Sequence, residues 1–336
     1  MKKRPTLRDV AELAGVSRAT AARVVNGNHE LVREDTRARV MDAVNKLKYE
    51  RHAIAGSLRS DRTTMIALSI PDIANPFWPE VARGVQDAAD LAGYTVVLLN
   101  TDWNAEREGK HLRRMLQGQF DGLIINPTSV LVTDLTRLHL PVVILGSGSA
   151  YPTLDAVGSD SATGAQEALE YLWSLGHRRI GLIAGRSMRH RAQSRFESYI
   201  LFHARHGARL DDSLVVEGDF TERDGFEGMR HLLSLDDPPT AVFAANDIIA
   251  LGALKAAQSM NRRIPEDISI IGMDDIYPAA LVSPALTTVA KPKYDIGARA
   301  AQLLLEQLQD SSAEQRQHVL LPCSLVIRDS TAPPGS

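Results

Sequence analysis

The chain has 336 residues, 44% of them apolar and 24% charged, which excludes a disordered or collagen-like protein and leaves room for two or three globular domains. Its single cysteine, Cys323, excludes a disulfide framework and suits a reducing compartment. The net charge is −3, but residues 1–62 hold 14 Lys and Arg against 8 Asp and Glu while the remainder hold 24 against 33. A basic head thus precedes an acidic body, the balance expected where one end meets phosphate.

The opening MKKRPTLRDV is basic with no apolar stretch behind it, so the expectation is no signal peptide and a cytoplasmic chain. No apolar run approaches the ~18 residues that cross a bilayer. Leu7, Val10, Ala11 and Ala14 repeat at helical spacing, and Gly15 can then turn the chain at positive φ. Ser17 predicts an N-cap for a second helix, with Ala21, Val24 and Val25 inward and Arg18, Ala19 and Arg23 outward. Two short helices on a glycine turn, with arginines on the second, describe a helix-turn-helix whose second helix enters a major groove. An ordinary αα-corner with solvated arginines would share this local pattern. Glu34, Asp35 and Thr36 open a third helix with the apolar stripe Val40, Met41, Val44 and Leu47. YERHAIAGSLRSDRT follows as a linker with helical potential from Ala53 to Leu58.

From Met65 short apolar runs alternate with amphipathic stretches: MIALSI, YTVVLL, GLIIN and PVVIL, then RIGLIAG, SLVVEG, AVFAAN and ISIIGM. Apolar strands alternating with helices predict parallel sheets covered on both faces, and two such sets predict two similar lobes. Ligands then bind at the carboxyl ends of the strands, in the cleft between lobes. Polar and aromatic residues collect there, in IPDIANPFW, AAND and GMDD and at Phe220.

The motifs TLRDVAELAGVSRATAARVVNG, NPFW, LGHRRIGLIAG, AVFAANDIIALGALKA, RIPEDISIIGMDD and PALTTVAKP occur in the order of one family. Over its full length the chain resembles lac-repressor-type (LacI/GalR family) transcription regulators. The resemblance implies a helix-turn-helix head at 1–50, a hinge helix at 51–62 and a two-lobed, periplasmic-binding-protein-like sensor at 63–336. Lobe 1 would comprise about 63–160 and 290–320, and lobe 2 about 161–289 and 321–332. It further implies a homodimer on a near-palindromic double-stranded DNA operator, a small-molecule effector, no membrane partner, no metal and no cofactor.

By position, Arg18, Ala19 and Arg23 match base-reading residues: arginine fits guanine O6/N7 and Ala19 offers a methyl contact. Thr6, Ser17, Thr20 and Asn26 complete the DNA-contacting set. Ala21-Ala22 replaces the usual Val-Ser, which removes a phosphate-meeting hydroxyl. Leu58 matches the hinge leucine that wedges a base step from the minor groove, and Ala55 its small neighbour. Arg51-His52 stands where the family has Pro-Asn, so a helix cap worth ~1 kcal/mol is missing.

In the sensor, Asn75, Phe77, Trp78, Asp160, Arg195, Phe220, Asn246 and Asp274 match cleft positions, where aromatic rings stack on sugar C–H faces and charged groups meet hydroxyls. Trp78 could instead be core, and Asp160 and Asn246 helix caps. Gly146 replaces a usual aspartate and Lys291 a usual glutamine, and Arg189 joins Arg195. Three unpaired cations in a closed cleft predict an anionic effector such as a sugar acid or sugar phosphate; the alternative is that Lys291 and Arg189 turn outward or pair with Asp72, Asp102 or Asp160. Two rival readings remain at this point. A periplasmic-type solute-binding protein would explain the sensor but not the head. An enzyme is disfavoured: Asp274-Asp275 are chain neighbours that point apart, and His203 and His206 read as a solvated face lacking a third ligand.

Overall fold

The computed structural model describes residues 5–27, 32–49, 63–185, 194–310 and 316–335. The hinge segment with Ala55 and Leu58, and Arg189 in the sensor, lie outside the described residues. The chain divides into a unit of residues 1–63 and a unit of residues 64–336.

In the head, α1 (Leu7–Ala14) starts with a capping box in which Thr6 and Asp9 satisfy each other's backbone N–H groups, at 3.4 and 2.7 Å. It ends at Gly15, whose φ of 64° makes the turn. Ser17 caps α2 (Arg18–Val25) by accepting the Thr20 N–H at 3.1 Å. α3 (Glu34–Leu47) closes a core of Val10, Ala11, Ala14, Ala21, Val24, Val40 and Ala43. Met41, placed in the apolar stripe by spacing, is instead 42% exposed. One helical step past the buried Val40, it is rotated about 100° out of the core.

The larger unit holds two six-stranded sheets. The first carries β1 (Met65–Ile70), β2 (Thr95–Asn100), β3 (Gly122–Ile125), β4 (Val142–Leu145) and β5 (Asp155–Ser159), and takes β11 (His318–Leu321) at its edge, in the order β11-β5-β4-β3-β1-β2. Its helices are α4 (Phe77–Leu91), α5 (Ala105–Met115) and α6 (Val132–Thr136). The chain then crosses to α7 (Ser161–Ser174) and the second sheet: β6 (Ile180–Gly185), α8 (Ser194–Arg205), β7 (Val215–Gly218), α9 (Glu222–Leu233), β8 (Ala241–Ala244), α10 (Asp247–Ser259), β9 (Ser269–Asp274) and β10 (Thr287–Ala290). It returns through α11 (Lys293–Gln309) to β11 and crosses again to β12 (Ser324–Val326). The second order, β12-β10-β9-β8-β6-β7, repeats the first, and among the described residues only β10 and β12 pair antiparallel.

The strands are apolar on both faces because both faces are covered: β3, β4 and β6 are buried throughout. Each lobe also packs one helix pair at backbone distance. A Cβ on Gly84 or Gly297 would overlap a carbonyl oxygen of the facing helix in the α4–α11 pair, and one on Gly225 or Gly252 would do so in the α9–α10 pair. Glycine is what permits these crossings. His203 and His206 are not a solvated face. His203 is buried on the Tyr199 carbonyl, and the His206 ring lies 4.3 Å from that of Trp173 with its Nε2 3.0 Å from Glu170. Aromatic neighbours on α7 and α8 cover both rings.

Candidate functional site

The head presents its chemistry on α2. Arg18, Ala19 and Arg23 are exposed while Ala21 and Val24 hold the opposite face in the core. Among the described residues the first turn of α2 has no acidic side chain, so its N–H dipoles and Arg18 together favour an anion. The Ser17 and Thr20 hydroxyls lie 2.9 Å apart, Thr6 is committed to Asp9, and Asn26 is exposed at the C-cap.

In the sensor the strand ends bring Lys291 and Asp274 into direct contact, with the Phe77 ring near Lys291 and the Phe220 ring near Arg195. Lys291, just past β10, donates from Nζ to Asp274 Oδ1 at 2.8 Å, and each side chain is only 6% exposed. The same Nζ lies 5.3 Å from the centre of the Phe77 ring, at the start of α4. Arg195 on α8 donates to the Ala245 carbonyl, and its guanidinium carbon lies 5.9 Å from the Phe220 ring centre. Burial lowers the pKa of both cations; Lys291 is further lowered by Arg195, and Asp274 opposes the shift in each. The expectation of unpaired cations is therefore corrected at Lys291. Its counter-charge is built into the protein.

Asp274 sits at φ 134° and Asp275 at 55°, left-handed conformations that cost of order 1–3 kcal/mol each in non-glycine residues. The surroundings hold them there. Lys293 Nζ donates to the Asp274 and Asp275 carbonyls at 2.9 and 2.7 Å and lies 3.6 Å from Glu80 on α4, while Arg328 pairs with the Asp275 carboxylate at 2.6 Å. Behind them Asp247 accepts from Thr288 Oγ1 at 2.5 Å and the Ile276 N–H at 2.9 Å. Burial, then the neighbouring Asp274 charge, pushes the Asp247 carboxyl up to about 7.

Other matched residues have structural duties. Asp160 caps α7 through Thr163 (3.1 Å to its N–H, 2.7 Å to its hydroxyl), Asn246 caps α10 through the Ile249 N–H at 2.9 Å, and Asn75 accepts the Phe77 N–H at 3.0 Å. Trp78 is corrected from cleft wall to core: it is 8% exposed and packs with Val81 and Val85 on the sheet-facing side of α4, edge-on to Phe77. Sequence reasoning missed Asp247, Lys293 and Trp103. All three follow strand ends, in AAND, AKPK and NTDW, and that position was the available signal.

Among the described residues no helix is long and apolar enough to cross a membrane, and no cluster of ligating side chains could hold a metal. Residues 6–52 match the profile of bacterial regulatory proteins, lacI family, and residues 169–331 that of a periplasmic binding protein-like domain. Catabolite control protein A of Priestia megaterium is 36% identical over 332 residues, covering 97% of this chain and 99% of that protein. Among solved structures, the lac repressor dimer bound to operator and the anti-inducer ONPF superposes with a TM-score of 0.85 at 29% identity, covering 98% of this chain and 100% of that one. The CelR–cellobiose complex gives 0.73 at 30%, covering 97% and 100%. The match to the head sets aside the reading as a solute-binding protein alone. A matched head joined to a matched two-lobed sensor, over nearly the whole length, means that the chain belongs to the lacI family of bacterial regulatory proteins.

Proposed function

We propose that this regulator represses transcription as a homodimer, each head reading one half of a near-palindromic operator. Arg18 and Arg23 would take guanine edges bidentately and Ala19 a thymine methyl, with Thr6, Ser17, Thr20 and Asn26 on phosphate and Ala55 and Leu58 in the minor groove. The observation that carries this reading is the exposure of Arg18, Ala19 and Arg23 on the helix whose other face closes the head core. The division into head (1–50), hinge (51–62) and sensor (63–336) belongs to the same proposal, as does a cytoplasmic place of action. The chain is a regulator and not an enzyme, which fits carboxylates at Asp274 and Asp275 that are spent on Lys291 and Arg328.

The effector is a small polar, sugar-like molecule held between the lobes, with Phe77 and Phe220 for its C–H faces. Asn75, Asp160, Asn246, Asp274, Arg189 and Lys291 supply polar contacts. Arg195 is the described cation best placed for an acidic or carbonyl oxygen, because Lys291 is already paired. Fluorescence polarisation with labelled random duplexes at 50 and 200 mM salt tests the DNA function: binding must weaken steeply with salt. Salt-independent binding, or none, refutes it. A thermal-shift screen of neutral sugars against their acid and phosphate forms then decides the effector's charge, since Arg195→Gln should abolish selectivity for the acidic forms.

A further inference from the structure

We propose that Trp103 and Phe220 form an aromatic latch across the cleft, and that Trp103 is a specificity-determining residue of the effector site. Trp103 lies in the turn between β2 and α5 of lobe 1, and Phe220 in the turn after β7 of lobe 2. Their rings are stacked, with centroids 5.8 Å apart and planes within 18°.

Local chemistry aims both rings. Asp102, Trp103 and Phe220 all take left-handed conformations, at φ 50°, 55° and 63°, which bulky residues keep only where the surroundings impose them. The imposing contacts around Trp103 are at hand. The Asn100 amide donates to the Asp102 carboxylate, Arg107 pairs with that carboxylate, and Asn104 caps α5 through the Arg107 N–H at 2.9 Å. On the other side, Phe220 lies against Gly185, where a Cβ would overlap its ring. Trp103 remains 42% exposed, so burial in its own lobe does not account for its position. Its partner does.

The consequence concerns ligand access. Gly185 and Arg195 lie against Phe220, and Trp103 covers the ring in near-parallel stacking. A sugar or planar ring sandwiched between two aromatics needs two stacking separations, about 9 Å between the outer centroids. The observed 5.8 Å falls short of that. A ring therefore reaches Phe220 only when Trp103 withdraws by about 3 Å, and because the two rings belong to different lobes this withdrawal is an opening of the cleft. Trp103 competes for the stacking face and then closes over whatever replaces it. It thereby selects for ligands flat enough to be clasped. This role rests on the reading of the cleft as the effector site.

The test uses the full chain labelled with 5-fluorotryptophan and followed by 19F NMR, with the signal of Trp103 among the three tryptophans identified by Trp103→Phe. Phe220→Leu should move the Trp103 signal and raise its solvent isotope shift while Trp78 and Trp173 stay in place. An unmoved Trp103 signal overturns the latch. If Phe220→Leu shifts all three signals, Phe220→Tyr must leave Trp103 at its wild-type position, and failure to do so also overturns it. For the specificity role, ribose, cellobiose and their acid forms are added to the wild type. Any probe that raises the melting temperature must also move the Trp103 signal, and stabilisation without that movement overturns the role. If no probe stabilises the chain, the effector reading is what suffers, and the Phe220 variants still decide the latch.

Discussion

Replacing Lys291 with methionine tests the electrostatics of the cleft most directly. The substitution keeps a long, flexible side chain and removes the ammonium, which leaves the Asp274 carboxylate, 6% exposed, without the partner 2.8 Å away. Removing one member of a buried pair costs about 3–5 kcal/mol, because the remaining charge stays desolvated. Here the cost is aggravated by Asp247, whose carboxyl is already raised by Asp274. For a unit of this size each kcal/mol lowers the melting temperature by about 2–4 °C, so the sensor transition should fall by roughly 6–20 °C at pH 7.5. Adding Asp274→Leu should recover at least half of this fall, since an apolar pair of similar volume fits a buried site about as well as the ion pair. Scanning calorimetry on the full chain measures both. A fall of less than 2 °C at pH 7.5, or a double variant no more stable than Lys291→Met alone, would refute the account of a mutually neutralised pair.

Gly252→Ala should destabilise the sensor by about 3 kcal/mol or more in chemical denaturation, because the new Cβ overlaps the Glu222 carbonyl and the two helix backbones must separate; an effect below 1 kcal/mol would mean that the α9–α10 pair slides freely. Asp247 should make stability fall as pH rises from about 4 to about 7, since its raised folded-state pKa means that the native chain keeps a proton there which the unfolded chain has lost. Asp274 and Asp275 are the carboxylates acting on it, and Asp247→Asn should flatten this part of the profile in urea melts at pH 5.5 and 8. Arg18→Ala and Arg23→Ala should each cost about 1–3 kcal/mol on a selected operator and relax preference at one base pair. In a binding-site selection, a uniform loss across all sequences would reassign that arginine to phosphate.

The strands that could be read from the sequence are those that their surroundings make apolar on both faces, such as the fully buried GLII of β3 and VVIL of β4. β5, with the sequence DAVGS, and the edge strands β11 and β12 were missed. Their small or alternating residues carry too little hydrophobic signal, and register with distant partners defines them. In the site, residue types at strand ends were legible, but their pairings were not. Lys291 meets Asp274 only because β10 lies beside β9 in parallel, with Ala290 opposite Asp274. Met41 and Trp78 show the complementary limit. Each sits one step along a helix from where its chemistry suggested, and about 100° of rotation decides between solvent, cleft and core.

The triple crossing of the chain between lobes has a consequence on the ribosome. The first sheet is largely written by residue 159, yet the helix that covers one of its faces, α11, begins at Lys293, after most of the second lobe. Ile296, Ala300, Ala301, Leu303 and Leu304 from that helix pack on Ile124, Val143, Leu145 and Val157. At about 5–20 residues per second, the intervening 130 or so residues take roughly 7–26 s to synthesise. For that interval the part of the apolar face that α4 leaves uncovered stands open, an occasion for chaperones and for aggregation alike, and β11 has still to arrive at the sheet's edge. The lobe that is translated first is the lobe that must wait to be completed.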